Sequence, residues 1–327
     1  MTALARKKIA KLERLAELAA VHSKEQGESL WREALKRVRR NPSAIVGASI
    51  LGVFILIAVL GPFLVPYDPG QIGVGIPFGL EVKEGQAIYP GPNSEFWLGL
   101  DHQGRDMFSR MIVGARQTLL VGVVATAIGL TLGCLIGGIA GAAYGLGGKR
   151  GRTIDNVLMR FIDMLLAMPS LLLAISLVAL LRPSLMTVMI AVGFISVPIF
   201  ARLLRGAMIA QSNAEYVVAA TSLGVHKRKI ALSHILPNSI APVLVQATLT
   251  LATAIIEAAG LSFLGLGNPD SSQAEWGTML ADGLFNSRFD YAPHLALFPA
   301  IGIIITALGF TLLGEAMREA LDPKLRK

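Results

Sequence analysis

Residues 44–65 read AIVGASILGVFILIAVLGPFLV, 22 positions without a charge. A helix rises about 1.5 Å per residue and the hydrocarbon layer is about 30 Å thick, so some 20 apolar residues make one crossing. This stretch is long enough and places the chain in a membrane. Composition agrees: 53% of the 327 residues are hydrophobic and 16% are charged, where a soluble domain holds roughly 25% charged residues. Mean hydropathy is +0.59. The single cysteine, Cys134, excludes an internal disulfide and a thiolate metal cluster, and reads as a small packing residue in mid-span. A net charge of +8 would suggest nucleic acid in a soluble chain. In a membrane chain, basic residues mark the cytoplasmic side.

Working outward, five further spans follow, over 119–144, 157–180, 184–204, 240–264 and 295–314. Eleven Lys or Arg precede the first span, so the N-terminus is expected inside. Residues 66–115 hold Lys83, Arg105 and Arg110 against six acids and belong outside. GGKRGR (147–152) and the loop with Arg205, Lys227, Arg228 and Lys229 belong inside. Residues 266–294 carry Arg288 against Asp270, Glu275, Asp282 and Asp290 and belong outside. Six spans with both termini cytoplasmic satisfy every loop. The reading is an all-α polytopic protein of the inner (plasma) membrane. Its parts are a basic N-terminal segment (1–41), a first span (42–66), an outer segment (67–115), a five-helix core (116–316) with an inner loop over 205–238, and a tail (317–327).

The N-terminal segment lacks the apolar core of a cleavable signal and places Ile9, Leu12, Leu15 and Leu18 near one helical face. It reads as a tail on the lipid surface or as a partner-binding arm. In the outer segment, YDPGQIGVGIPFGL and YPGPNSE predict loop and short strand. RDMFSRMIVGAR (105–116) predicts a short surface helix, with Met107, Phe108, Met111 and Ile112 on one face and Asp106 paired with Arg110.

Within the spans, Ala125, Gly129, Gly133, Gly137 and Gly141 recur every fourth position. Such a flat stripe lets a neighbouring helix approach closely in lipid. Pro169 and Pro198 each remove a backbone donor, so a kink is expected at both, as shape or as hinge on the translocation path. Arg160 and Asp163 lie three apart near the inner end and read as a pair that snorkels. Glu257 has no basic residue within a turn; it either lines a polar path or bonds to a neighbouring helix.

Between the fourth and fifth spans stands EYVVAATSLGVHKRKIALSHILPN (215–238). Ser212 and Glu215 have capping-box spacing, predicting a short helix from 213. Gly224 fits the left-handed position that ends it. A second short helix is expected over 226–236, stopped by Pro237. The first helix would show Val217, Val218, Ala219, Ala220 and Leu223. A loop left in water has no need of such a face; a docking surface does.

AAxxxG followed ten residues on by ILP resembles the EAA loop of ABC importer permeases, matched here by Ala219, Ala220, Gly224, Ile235, Leu236 and Pro237. Val218 stands where that family's name-giving glutamate would be, which removes a carboxylate contact but leaves the shape. WLGLDHQGRDMFSRMIVGARQTLLVG (97–122), RFIDMLLAMPSLLLAI (160–175), EAAGLSFLGLGNP (257–269), EWGTML (275–280) and LDPKLR (321–326) resemble the dipeptide/oligopeptide/nickel branch. NPSAIVGASILGVFILIAVLGPFLVPYDP resembles the extra first span of one of its two permease subunits. The resemblance implies a type I ABC importer permease fold and a half-channel. Its partners would be a second homologous permease, two ATPase subunits and an extracytoplasmic solute-binding protein. Solutes of the branch are di- and oligopeptides, glutathione and nickel chelates. The loop would be a coupling helix, with Glu215, Tyr216, Ala219, Ala220, Leu223 and Gly224 docking on an ATPase.

No covalent chemistry is expected. The five histidines are scattered and none forms HExxH. Asp101, His102 and Asp106 could hint at a metal, but a turn at Gly104 explains them. GLGGKRG (145–151) fails the phosphate-loop pattern, with Ala143 at the first glycine position and Arg150 at the Ser/Thr position. So the chain is expected to bind no cofactor, with ATP and Mg held by the partner ATPases. An ion-driven carrier would show repeated halves and midplane charges, and a membrane enzyme a nucleophile–base pair; neither is evident.

Overall fold

Asn41 accepts a hydrogen bond from the Ser43 backbone N–H and Pro42 takes the first helical turn, so α1 (Pro42–Leu64) starts where the apolar run does. This is a computed structural model, and it describes residues 35–74, 91–270, 272–285 and 292–321. Residues 1–34 of the amphipathic segment expected over 1–41, the stretches with Lys83 and Arg288 and the tail beyond 321 lie outside the described residues.

Asp106 caps α2 (Met107–Leu146), its carboxylate accepting from the Ser109 N–H at 2.8 Å. The separate surface helix expected before the second span does not exist. Nothing between Met107 and the apolar run stops a helix, so α2 continues for 40 residues, about 60 Å, and projects well beyond the hydrocarbon. Nor does Arg110 pair with Asp106, whose carboxylate is engaged in the cap. Arg110 reaches Asp101 at 3.4 Å and the Pro69 carbonyl at 3.1 Å.

The expected third span is two helices, α3 (Gly148–Leu166) and α4 (Ser170–Leu181), meeting at 90°. Pro169 lacks an N–H and keeps its predecessor out of the helical region, so the chain breaks there rather than kinks. Ser184 caps α5 (Leu185–Ser212), accepting from the Thr187 N–H at 3.1 Å. α5 runs unbroken through Pro198. Then come α6 (Glu215–Ser222) and α7, a run over Lys227–Ile230, a π-helical turn over Ala231–Ile235 and a last turn over Leu236–Ser239. α8 (Ala241–Leu261) passes into a second π turn (Ser262–Leu266); α9 (Trp276–Phe285) and α10 (His294–Leu321) complete the chain. Among the described residues five helices (α1, α2, α5, α8 and α10) are long and apolar enough to cross a membrane, and the bent pair α3–α4 makes a sixth if it counts as one span.

The Gly stripe of α2 lies flat against α5. A β-carbon at Gly129 would stand 2.7 Å from the Ser196 β-carbon, and one at Gly133 2.5 Å from that of Phe200. At Gly137 it would overlap the Ala201 carbonyl. Backbone contact this close gains dispersion where hydrophobicity gives no drive between helices. On the other side, α1 packs on α10, where Gly47 meets the Gly309 carbonyl, and Asn41 donates to Glu319 at 2.9 Å. This bond sets the start of α1 beside the end of α10. Lys36, Arg37, Arg39 and Arg40, which precede α1, therefore lie at the same end of the bundle as Arg318 of α10.

Trp276 closes the opposite end. It is 1% exposed, donates its indole N–H to the Met111 carbonyl at 3.0 Å, and fits because Gly114 and Gly302 carry no side chain. Trp276→Ala is expected to destabilise the protein by about 3–5 kcal/mol, read as a lower thermal midpoint in detergent. Glu275 beside it accepts from the Gly277 and Thr278 N–H groups at the start of α9; burial nevertheless pushes its carboxyl above the usual range.

Candidate functional site

α5 ends at Ser212 because that side chain turns back, donating to the Ile209 carbonyl at 2.7 Å. The capping box expected at Ser212 and Glu215 is therefore absent. The N-cap of α6 is Ala214, with no side-chain bond, and the helix begins at Glu215 rather than 213. Tyr216 donates to Gln211 at 2.8 Å and steadies the entry. At the other end the Val225 N–H reaches the Ala220 carbonyl at 3.1 Å and the Gly224 N–H reaches that of Thr221 at 3.0 Å. This is a Schellman closure, and it demands a left-handed residue; Gly224 has φ +75°.

α6 has two unlike faces. Val217 and Ala220 are buried among Phe200, Leu204 and Met208 of α5, Ile230 and Ile235 of α7, and Val243 of α8. The outer face shows Glu215, Tyr216, Val218 and Ala219, and then Leu223, which is 83% exposed. Ala220 is thus not part of a docking surface, as read from sequence. The three-residue spacing from Val217 turns it inward on the same helix face, and it serves as the seat of the helix. The site is an apolar knuckle bolted to α5 and α8, with Lys227, Arg228 and Lys229 exposed beside it.

Pro237 does not stop α7. It supplies no N–H to the turn before it, and the helix takes one extra residue instead, the Leu236 N–H bonding to Ala231. The chain then runs on into α8. α6 is therefore joined to α5 by packed side chains, and α7 to α8 by near-continuous helix.

A charged joint flanks the knuckle. Arg205 of α5 binds Asp155 of α3 through two hydrogen bonds, at 2.5 and 2.7 Å, with the Asp155 side chain 1% exposed. Arg205 and Arg152 both lie over the Tyr144 ring, at 5.5 and 5.8 Å. Asp163 pairs with Arg202 at 2.5 Å and not with Arg160, because α3 turns that carboxylate towards α5. The Asp155–Arg205 joint is missed by sequence reasoning; opposite charges just beyond two apolar runs were the available signal. Arg205→Met alone would strand a buried carboxylate and is expected to cost about 3 kcal/mol. Adding Asp155→Asn should recover part of that loss in the thermal midpoint of the double variant.

The remaining candidates lie apart. Pro169 is exposed at the α3–α4 break. Pro198 is buried on α5 beside the α2 contact, so it packs and does not line a path. Glu257 is half-buried on α8. Among the described residues no group of three His, Cys, Asp or Glu is placed to hold a metal ion.

Residues 133–327 match the model of the binding-protein-dependent transport system inner membrane component. This chain belongs to that family. Residues 29–76, which include α1, match the N-terminal TM domain of oligopeptide transport permease C, so the permease carries the extra first span of that branch. It is 42% identical over 298 residues to the dipeptide transport system permease protein DppC of Alkalihalophilus pseudofirmus, covering 91% of each chain. To the oligopeptide transport system permease protein OppC of Bacillus subtilis it is 40% identical over 299 residues, again 91% of each. The glutathione transport system permease protein GsiD of Pectobacterium atrosepticum is 36% identical, with 90% of this chain and 92% of that one covered. Among solved structures, the MetNI methionine ABC transporter in inward-facing conformations aligns with a TM-score of 0.53 at 15% identity, over 66% of this chain and 97% of its own. That likeness concerns the fold. The permease is a membrane-transport subunit of the all-α importer type.

Proposed function

We propose that this permease is one half of an ATP-driven uptake pathway for short peptides. A second homologous permease supplies the other half. Two ATPase subunits hold ATP and Mg and dock on α6, and an extracytoplasmic binding protein delivers the solute. The observation that carries the reading is the knuckle: α6 presents an apolar face with Leu223 83% exposed, while its other face is seated on α5 and α8. A solvated loop would bury or replace such a leucine. The gathering of basic residues around α6 supports a cytoplasmic position for that end and for both termini. The two peptide-system relatives at 42% and 40% identity support peptides as cargo.

The mechanism is mechanical. Nucleotide closes the ATPases, α6 moves with them, and the packed underside passes the motion to α5 and α8. Only contacts that differ between inward-open and outward-open states can shift that balance, and the exposed face of α6 is where a partner makes them. The test is uptake into proteoliposomes holding the permease pair, the ATPases and the binding protein. Dipeptide uptake should require ATP and every component, and should outcompete glutathione. Uptake driven by an ion gradient without ATP would refute the proposal.

A further inference from the structure

Glu257 has no role in the uptake scheme so far. It stands 16 residues beyond Ala241 on α8, about 24 Å along the helix and towards the end opposite the knuckle. No hydrogen bond or ion pair within the described residues reaches its carboxylate. An ionised group in a spanning helix is costly unless it faces protein, water or a cation.

Its surroundings are built for a donor. Gln246, Thr250, Thr253, Glu257 and Gly260 recur at intervals of four, three, four and three, which sets them in one line along α8. Thr253 is exposed, and a β-carbon at Gly260 would meet nothing within 4 Å, so the line borders open space from Thr253 onward, while Thr250 is buried. The neighbouring positions Ala254, Ala258 and Leu261 are buried in the α2–α5–α8 core. Gln246 donates to the buried Thr250 hydroxyl at 3.3 Å and Thr253 donates to the Thr250 carbonyl at 3.1 Å, so Gln246 and Thr253 each spend a donor inside the helix. α8 holds no Lys, Arg or His. The line therefore accepts hydrogen bonds and attracts positive charge. An ammonium group, with three donors and no acceptor, is its complement.

We propose that Glu257 is the residue of the pathway that receives the ammonium of the passing solute, the free amino terminus of a short peptide. This rests on the permease reading above. It makes Glu257 a specificity-determining residue and gives α8 a substrate-sensing face as well as a mechanical one.

The test uses the full complex in proteoliposomes, with dialanine as probe. Glu257→Gln should be recovered at wild-type yield and should raise the half-saturating dialanine concentration at least tenfold; Glu257→Asp should stay within about threefold of wild type. In a chain with Cys134→Ala, Glu257→Cys should react with a water-borne trimethylammonium thiol reagent, and dialanine should slow that reaction. A half-saturating concentration within twofold of wild type in Glu257→Gln would overturn the proposal. So would a fall in the yield of the permease pair with unchanged half-saturation in what assembles, which would make Glu257 a contact to the second permease. Failure of the permease reading itself would look different: the wild-type chain would take up dialanine without ATP.

Discussion

Gly137→Leu is expected to lower the thermal midpoint of the permease sharply while Gly138→Ala next to it leaves the protein intact. At Gly137 an added β-carbon would overlap the backbone carbonyl of Ala201 on α5. A backbone atom cannot rotate aside, so the helices must part. Overpacking of this kind costs about 3 kcal/mol, the top of the usual range, and here the loss extends along the stripe, because separating α2 from α5 at Gly137 also opens the contacts at Gly133 and Gly141. At Gly138 the nearest atom is a Leu204 methyl at 3.7 Å, an ordinary contact. Alanine there should be neutral or should add about 0.5 kcal/mol from helix propensity. Thermal midpoints of the purified variants, measured in one detergent, make the comparison. Equal midpoints for the two would show that the helices are not in backbone contact.

Leu223→Asp is expected to cut ATP-driven uptake more than tenfold without lowering the thermal midpoint. The side chain touches almost nothing in its own chain, so the fold has nothing to lose. An apolar anchor in a docking interface contributes about 2 kcal/mol or more, roughly a thirtyfold change in affinity. Val217→Asp is the contrast, since it places a carboxylate in the cluster with Phe200 and Ile235 and should unfold the inner end of the bundle. Gly224→Val belongs with Leu223→Asp. No atom stands within 4 Å of the new β-carbon, yet the left-handed φ of +75° costs a β-branched residue about 1–2 kcal/mol. The chain relieves that strain by reorienting α6, so hydrolysis should continue while uptake falls.

Much of this was legible in the sequence because lipid imposes simple rules. Predominantly apolar runs of some 20 residues marked the spans, the four-residue stripe marked the face of α2 that meets α5, and Gly224 marked the bend. Hydropathy could not see where helices outrun the membrane. α2, α5 and α10 all continue through polar turns that an apolar window discards, which hid the cap at Asp106 and the joint between Arg205 and Asp155. Local pairing rules misplaced Arg110 and Arg160, because tertiary partners compete with neighbours in sequence. Pro169 and Pro198 look alike in sequence, yet one breaks a span and the other is absorbed. The break falls among exposed residues, whereas Pro198 is buried on α5 between Val197 and Phe200, which pack against Gly133 of α2. The seat of α6 was invisible for a similar reason: only the packed structure separates Ala220, which faces α5, from Ala219, which does not.

The docking role of α6 is tested most directly by a photo-crosslinking residue at position 223 in the intact transport complex in membranes. The expected product is a covalent adduct with an ATPase subunit whose yield changes when nucleotide is added. Adducts with lipid alone, or with the extracytoplasmic binding protein, would contradict it.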